Sequence, residues 1–541
     1  MYLNIIFNVI GGLGIFLYGM ENMSGGMQKL AGKRLKKILA ALTTNRIMAV
    51  IMGIFVTMLV QSSSVSTVMT IGFVNASLLT LKQALGVILG ANIGTTVTGW
   101  LLVLNIGKYG LPITGAAAIS YVFFRSDKAR TRALTVMGLG LIFLGLDLMS
   151  NGLKPIRSMP EFIELFKLFN ADTYFGAVKV ACIGALITGI VQSSAATLGI
   201  TITLAVQGLI DYPTAVALVL GENVGTTITA FLASLGATTN AKRAAYAHTI
   251  INIIGVIWVT SIFPFYIKFL GHIVDVENNI TFGIATAHTM FNILNVILFI
   301  PFTGPLSVFL TKLVKDSGKS AEKVTKLDKL MVGTPSFVVG QTKIEVLTMG
   351  QNIKEMMFAL EETLAKNEVI SDAKLARLQK IENDLDLYQK EVTDVNFLIL
   401  NKDLTDSMRE ETRKNLEVCD EYETISDYLM RIAKSIRKIQ DNDIVINDKA
   451  RKTLFDLNEN IEMLFREINI SYETKDKERF IKAIKKANEI TEKFRQARNF
   501  HLENVKEGTS AVFSTSYMDI LNHYRRIRDH IFNIIEVFTR L

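Results

Sequence analysis

Hydrophobic positions along the chain fall into two regimes that meet near residue 312. Before it, long apolar runs alternate with short polar breaks; beyond it, charged and apolar residues interleave at helical spacing. A bilayer core of roughly 30 Å takes about 20 mostly apolar residues of helix to cross. On that criterion the pattern predicts spans at about 2–20, 82–105, 109–124, 133–152, 213–235, 243–262 and 281–311. The first run begins at Tyr2 without a basic flank or a small-residue cleavage site, which predicts a span and not a cleaved signal. Two further apolar stretches, 47–79 and 173–210, are too long for one upright helix and too short for two helices with a loop. Each is broken near its middle by a polar cluster, Gln61-Ser62-Ser63-Ser64 or Gln192-Ser193-Ser194. Arms of roughly 14–18 residues make about 21–27 Å of helix, short of the hydrocarbon core. Turn backbone cannot face lipid, so both stretches are read as re-entrant hairpins with tips near the middle of the membrane. A long, tilted, kinked helix is the alternative.

From about residue 340 the apolar positions recur at helical spacing, as in Ile353-x-x-Met356-Met357-x-x-Leu360 and Ile461-x-x-Leu464-Phe465-x-x-Ile468. Six long helices are predicted at about 342–366, 370–399, 403–439, 446–472, 475–506 and 511–540, an all-α bundle of two three-helix units. The expected organisation is a transmembrane domain over 1–312, a linker over 313–340 and a cytosolic helical bundle over 341–541. The fold class is all-α: a polytopic membrane protein joined to a soluble bundle.

The membrane half carries an internal repeat. Gln61-Ser62-Ser63 recurs 131 residues later at Gln192-Ser193-Ser194. Gly90-Ala91-Asn92-Ile93-Gly94-Thr95-Thr96 recurs at the same offset as Gly221-Glu222-Asn223-Val224-Gly225-Thr226-Thr227. Earlier, the stretch from Phe16 through Glu21 to Ser24 resembles that from Phe143 through Asp147 to Ser150. The unit is span, hairpin, span, span. A hairpin leaves on the side it entered, so each unit crosses three times and the second copy is inverted.

Charge supports that topology. Of 58 Lys+Arg and 50 Asp+Glu, roughly 20 and 10 lie up to Lys312, so the net charge of +8 belongs to the apolar part. It reads as loop charge beside a lipid bilayer, not as a nucleic-acid footprint. With the N-terminus outside, the inner loops hold Lys29, Lys33, Arg34, Lys36, Lys37, Arg46, Arg125, Lys128, Arg130, Arg132, Lys242, Arg243, Lys312, Lys315 and Lys319. The outer loops carry Glu161, Glu164, Asp172, Asp275 and Glu277. This is the positive-inside bias of an inner-membrane protein with a cytosolic C-terminal part. The two cysteines, Cys182 and Cys419, have neither disulfide-framework nor metal-site spacing.

Inverted repeats with broken helices point to a secondary transporter whose site lies at the repeat interface. Helix arms that start at the breaks aim N–H groups and positive dipole ends at the space between them, which suits an anion. Freed carbonyls and the oxygens of Gln, Asn and Thr suit a hard cation such as Na+. Between Arg46 and Lys108 the only base is Lys82, at a span end. A multivalent anion would be poorly neutralised there, and co-bound cations would supply the missing charge. Any single Ser or Thr is equally a packing residue of membrane helices; the duplicated pairing of the two motifs is what marks a site.

These paired motifs resemble the type II sodium-dependent phosphate cotransporter family over about residues 1–312. The resemblance implies sodium-coupled uptake of inorganic phosphate by alternating access. It assigns phosphate to Ser62, Ser63, Ser64, Ser193 and Ser194. It assigns sodium to Gln61, Asn92, Thr95, Thr96, Gln192, Glu222, Asn223, Thr226 and Thr227. Two departures leave the coupling ion and stoichiometry open: Ala195 lacks the third hydroxyl, and Glu222 replaces Ala91. His248-Thr249-x-x-Asn252 recurs as His288-Thr289-x-x-Asn292, each pair on one helical face, with a pore-facing and a packing role both open. Glu21 and Asp147 are read as solvated acids at span ends.

The C-terminal bundle resembles the PhoU-like regulators of phosphate uptake. Its acidic pairs, Glu382-x-x-x-Asp386 and Glu423-x-x-x-Asp427, imply a metal site there, with ordinary solvated acids the competing reading. No catalytic constellation and no cofactor is expected, since His501, His523 and His530 stand apart from any nucleophile. Carriage of another oxyanion, proton coupling, and a membrane phosphate sensor are the rival functions. Self-association is left open.

Overall fold

Long apolar runs and strong N-caps give helix throughout. The structure is a computed structural model of the chain. It describes residues 2–40, 45–104, 107–159, 164, 169–315, 323–402, 404–505 and 510–539, the side chains at 2, 31–40, 107, 108 and 157 excepted. The side chains of Lys33, Arg34, Lys36 and Lys37, together with Glu161 and Lys319, lie outside the described residues. By contact the chain divides into two units, Met1–Ala321 with Asp328–Phe337, and Glu322–Leu327 with Val338–Leu541. No strand occurs among the described residues.

The first unit contains α1 (Tyr2–Ala40), α2 (Arg46–Val60), α3 (Ser63–Asn75), α4 (Leu81–Val103), α5 (Gly107–Phe123) and α6 (Asp127–Leu153). It continues with α7 (Tyr174–Val191), α8 (Ser194–Val206), α9 (Tyr212–Gly225), α10 (Thr227–Ala233), α11 (Thr239–Ser261), α12 (Phe263–Ile273), α13 (Ile280–Phe299) and α14 (Thr303–Leu313). Among the described residues, seven helices are long and apolar enough to cross a membrane, and Arg46–Val60, Tyr109–Phe123 and Ser194–Val206 are shorter apolar helices. The protein is a multi-pass membrane protein.

Glycines fix how these helices meet. A Cβ on Gly53 would lie 2.1 Å from the Val87 carbonyl oxygen, one on Gly90 2.0 Å from that of Val50, and one on Gly94 2.8 Å from that of Ile54. Residue 50 therefore meets 90 and 54 meets 94, so α2 and α4 run in the same direction. Because α3 ends one turn before α4 begins, it must run back against α2. The second copy repeats each contact 131 residues on: Gly184 against Leu218 at 2.3 Å, Gly221 against Ala181 at 1.8 Å, Gly225 against Ala185 at 2.3 Å. Both broken stretches thus fold back on themselves. α1 and α6 carry the earlier matched motif and run antiparallel, Gly12 against Gly145 and Gly19 against Gly138. Equivalent helices of opposite direction are what an inverted repeat requires.

Three expectations change. The span drawn at 281–311 is two helices, α13 and α14, divided at Pro301, which lacks the N–H a continuous helix needs. The span drawn at 2–20 belongs to a helix that continues to Ala40. Helix α12 was read as loop; it buries Phe263, Tyr266 and Leu270 on one face and exposes Phe265, Phe269 and Ile273 on the other.

The stretch expected as linker is partly structured. Residues Lys329–Gly333 form a 3-10 turn, and Asp328–Phe337 belongs to the first unit. There the Asp328 carboxylate accepts from Asn75 Nδ2, Leu330 Cβ covers Gly72, and the Phe337 and Phe73 rings stack obliquely at 4.6 Å.

The second unit is built from α15 (Pro335–Lys366), α16 (Asp372–Leu400), α17 (Asp406–Gln440), α18 (Asp448–Thr474), α19 (Lys477–Asn504) and α20 (Ala511–Thr539). Four begin two or three residues later than the apolar pattern predicts, because Ser371, Thr405, Asn447 and Asp476 are spent as N-caps. Its core is cross-linked by buried Tyr–Asn bonds, Tyr422 to Asn469 at 2.5 Å, Tyr472 to Asn415 at 2.7 Å and Tyr524 to Asn458 at 3.1 Å.

The glycine seams give the first prediction. Gly90→Ala and Gly221→Ala force a methyl against a backbone carbonyl and should each cost about 1–3 kcal/mol, read as thermal unfolding in detergent. Gly115→Ala, whose Cβ meets nothing within 4 Å, should leave the midpoint unchanged or slightly raised.

Candidate functional site

Each hairpin turns on one glutamine in the left-handed region, Gln61 at φ 55° and Gln192 at φ 56°. A non-glycine residue there costs about 1–2 kcal/mol. The next residue is extended, and its hydroxyl caps the returning helix: Val65 N donates to Ser62 Oγ at 3.3 Å, and Ala196 N to Ser193 Oγ at 3.2 Å. Helix geometry leaves the earlier first-turn N–H groups without intrahelical partners. The carbonyl side of the first break is closed by α1, whose Ser24 Oγ donates to Val60 O at 2.7 Å and whose Gln28 Nε2 donates to Ser24 Oγ at 3.1 Å. Gln61 Nε2 donates back to Met58 O at 2.7 Å and its Oε1 accepts from Thr98 at 3.3 Å.

The two breaks share one cavity of about 210 Å³, lined by Gln61 to Ser64, Gln192 to Ala195, Thr95, Thr98, Leu17, Met20, Glu21 and Ser24. With about 30 Å³ per liquid water, it has room for a small anion with ions or several waters. No basic side chain lines it, and Glu21 is acidic. Among the described residues the hydroxyls of Ser63, Ser64 and Ser194 make no hydrogen bond within the protein. A larger groove of about 720 Å³, along α7, α9 and α11, is almost wholly apolar and offers no comparable chemistry.

Of the expected sodium residues, Gln61, Thr95 and Gln192 line this cavity, and Asn92, Thr96, Glu222, Asn223, Thr226 and Thr227 do not. The Thr96, Thr226 and Thr227 hydroxyls donate to carbonyls of their own helices, at Ile93, Glu222 and Val224. Asn92 sits against α11, with Nδ2 donating to Asn252 Oδ1 at 3.2 Å and Oδ1 at 3.2 Å from His248 Nε2. Asn223 sits against α13 in the same way, its Oδ1 at 3.4 Å from both His288 Nε2 and Asn292 Nδ2. The recurring His-x-x-x-Asn pairs therefore face the motif asparagines, one pair per repeat.

Sequence reasoning missed Glu21, Ser24 and Thr98. Ending the first span at residue 20 put Glu21 in a loop, whereas the apolar helix segment runs Leu3–Leu30. The signal available was its match to Asp147 inside a helix of membrane length.

In the second unit, Asp386, Glu423 and Asp427 each offer a carboxylate oxygen within 4.8 Å of one another. Glu382 stands beside them and accepts from Gln379 Nε2 at 2.5 Å. Burial, then the charges of Asp386 and Asp427, raise the Glu382 carboxyl above its usual range. Burial and Asp427 raise Asp386, and burial and Asp427 likewise raise Glu423. The donor set of hard oxygens fits a divalent cation. One base intrudes, with Arg431 Nη2 3.2 Å from Asp427.

The family described as the Na+/Pi-cotransporter matches residues 15–151 and 166–288, and the PhoU domain matches residues 454–538. An Escherichia coli K12 protein, YjbB, named provisionally for inorganic phosphate export, is 23% identical over 436 residues, 80% of this chain and 78% of that protein. The uncharacterized protein YqeW of Bacillus subtilis is 30% identical over 291 residues, 53% of this chain and 92% of that protein. Human sodium-dependent phosphate transport protein 2B is 35% identical over 98 residues, 18% of this chain and 14% of that protein. No solved structure matches.

The acidic cluster has a signed pH dependence. A carboxyl raised by folding contributes stability below its unfolded pKa and loses it as pH rises through the folded value. Asp386→Asn should therefore raise the thermal midpoint at pH 7.5 and lose that advantage towards pH 4. Added Mg2+ or Mn2+ should stabilise the parent at pH 7.5 and stabilise Asp386→Asn less.

Proposed function

The chain belongs to the Na+/Pi-cotransporter family, a family of phosphate transporters, and on that premise we propose that it is a sodium-coupled symporter of inorganic phosphate. The observation that carries the reading is the cavity between the two Gln-Ser-Ser breaks. Two helix N-termini and the hydroxyls of Ser62, Ser63, Ser64, Ser193 and Ser194 present donors to it. A cavity without a base and with one acid holds a phosphate anion only together with cations. Sodium bound by the carboxylate of Glu21 and the oxygens of Gln61, Thr95 and Gln192 supplies that charge. The charge asymmetry of the loops supports an inner-membrane protein with its N-terminus outside and the PhoU region cytosolic, where it regulates transport.

Direction follows the gradients. An inward sodium gradient drives uptake, and a relative named for export makes efflux the second reading. Phosphate flux in proteoliposomes, with sodium inside, outside or absent, separates the two. Flux indifferent to sodium would sink the coupling, and phosphate binding without flux would make the protein a sensor.

The transport cycle is read from a difference between the two repeats. On α1, Ser24 bonds the Val60 carbonyl at the tip of the first hairpin. Its equivalent on α6, Ser150, instead accepts from Gln207 at the far end of α8. There Asp147 lines a second cavity of about 80 Å³. In the opposite-facing state the two roles exchange: Ser150 reaches the carbonyl of Val191, the equivalent of Val60, and α1 moves away from the first tip.

Two predictions follow from these assignments. Ser63→Ala and Ser194→Ala each remove a hydrogen bond to a charged group, about 1.5–3 kcal/mol, so phosphate affinity should fall about 10- to 150-fold while the protein stays folded. Near-normal uptake in both would remove the site. For the cycle, a cysteine pair at positions 24 and 60 should cross-link in the state described and be protected in the other. A pair at 150 and 191 should do the reverse, with sodium plus phosphate shifting the two yields in opposite directions. Parallel changes in the two pairs would rule out the exchange.

A further inference from the structure

Each repeat sets a motif asparagine against a His-x-x-x-Asn helix, but only the second adds an acid. Glu222 occupies the position of Ala91 and is 1% exposed. Neither of its carboxylate oxygens takes a hydrogen bond from any described residue. The closest basic atom is His288 Nε2, at 3.9 Å, beyond hydrogen-bonding distance. Asn292, 0% exposed, also leaves its Oδ1 unpartnered. Asn223 Oδ1 lies 3.4 Å from both His288 Nε2 and Asn292 Nδ2. Buried oxygens are thus gathered around one carboxylate, and the cluster lies outside the lining of the hairpin cavity. In the first copy the same framework is complete without an acid: Asn92 bonds both His248 and Asn252.

An ionised carboxylate buried without partners is costly enough that it takes up a counter-ion or loses its charge. Side-chain oxygens from one carboxylate and two amides are a hard donor set of low total charge. It is matched to a small monovalent cation and too weakly charged for a divalent one. We propose that Glu222, Asn223 and Asn292 bind one Na+ in the second repeat, a site that the first repeat lacks. The inference rests on the reading of the chain as a cation-coupled carrier and adds an ion that neutralises the protein, not the phosphate. That ion is separate from those accompanying the anion between the hairpins.

The test uses the purified full chain in detergent, without phosphate. NaCl replaces choline chloride at constant ionic strength, and the thermal midpoint is followed as sodium rises. A bound ion stabilises by mass action, so the parent should show a saturable upward shift. Glu222→Gln keeps the shape and loses the charge. It should raise the half-saturating sodium by about tenfold or more, or remove the shift. Asn292→Ala is read in the same titration and serves if Glu222→Gln is not recovered folded. An unchanged half-saturation in Glu222→Gln, or in Asn292→Ala where that variant stands in, overturns the site. So does a Glu222→Gln variant altered only in its pH dependence, which would make the group a proton carrier. Parallel phosphate flux keeps the two readings apart. Sodium-driven flux in the parent with sodium titration unaltered in the variants defeats this site alone, whereas a parent indifferent to sodium in both assays defeats the carrier reading as well.

Discussion

The fold is organised around backbone that has lost its helical partners in the middle of apolar segments. At Gln61 and Gln192 the chain adopts φ near 55°, a conformation that glycine takes freely and glutamine does not. Glutamine serves because its side chain repairs what the break exposes: at the first tip Gln61 bonds Met58 O and receives Thr98. Ser24 and Gln28 arrive from α1 to meet the Val60 carbonyl. In lipid none of these groups would find water, so the break can exist only where α1 and α4 converge on it. The N–H groups on the other side of each break have no such repair within the protein. They remain available to an anion, so the strain at the tip and the binding capacity of the cavity have one origin.

Close packing holds the tips in place. Glycines at 53, 90 and 94, and again at 184, 221 and 225, let each outgoing arm lie backbone to backbone on the following span. Rigid arm–span pairs of this kind can move as bodies. The two copies preserve these contacts while differing in how α1 and α6 meet their hairpins. The pairs are therefore the conserved geometry of the repeat, and the contacts of α1 and α6 are the variable one.

Much of this was legible in the sequence because it is local or periodic. Arm length against bilayer thickness gave the two hairpins, and the constant offset of 131 residues gave the repeat. The helices of the second unit were placed to within a few residues, except that α15 starts at Pro335 inside the expected linker. What was not legible depends on partners distant in sequence. Nothing local says that Ser24 meets Val60, or that His248 faces Asn92 and His288 faces Asn223. Glu21 was misjudged because a span was ended at the first polar residue, whereas one acid facing a cavity costs a membrane helix little. The break at Pro301 was a local signal that the long apolar run obscured. The docking of Leu330 and Phe337 onto α3 comes from side chains that, in isolation, read as part of a linker.

The distribution of fixed charge is the last step. Neither hairpin cavity wall carries a base, and the acids that reach the membrane interior are Glu21, Asp147 and Glu222. For an anion carrier this looks inverted, since lysine or arginine would bind phosphate more tightly. Tight binding by fixed positive charge has a kinetic cost, because the same charge must release the anion on the far side. A site of neutral donors and acids binds phosphate only while cations are present. Its affinity is thus set by the ion concentration on whichever side it faces. Where cations are scarce the cations leave, the acids repel the anion, and release follows without any separate device. In such a site the negative residues are what make the transport of phosphate conditional on the ion.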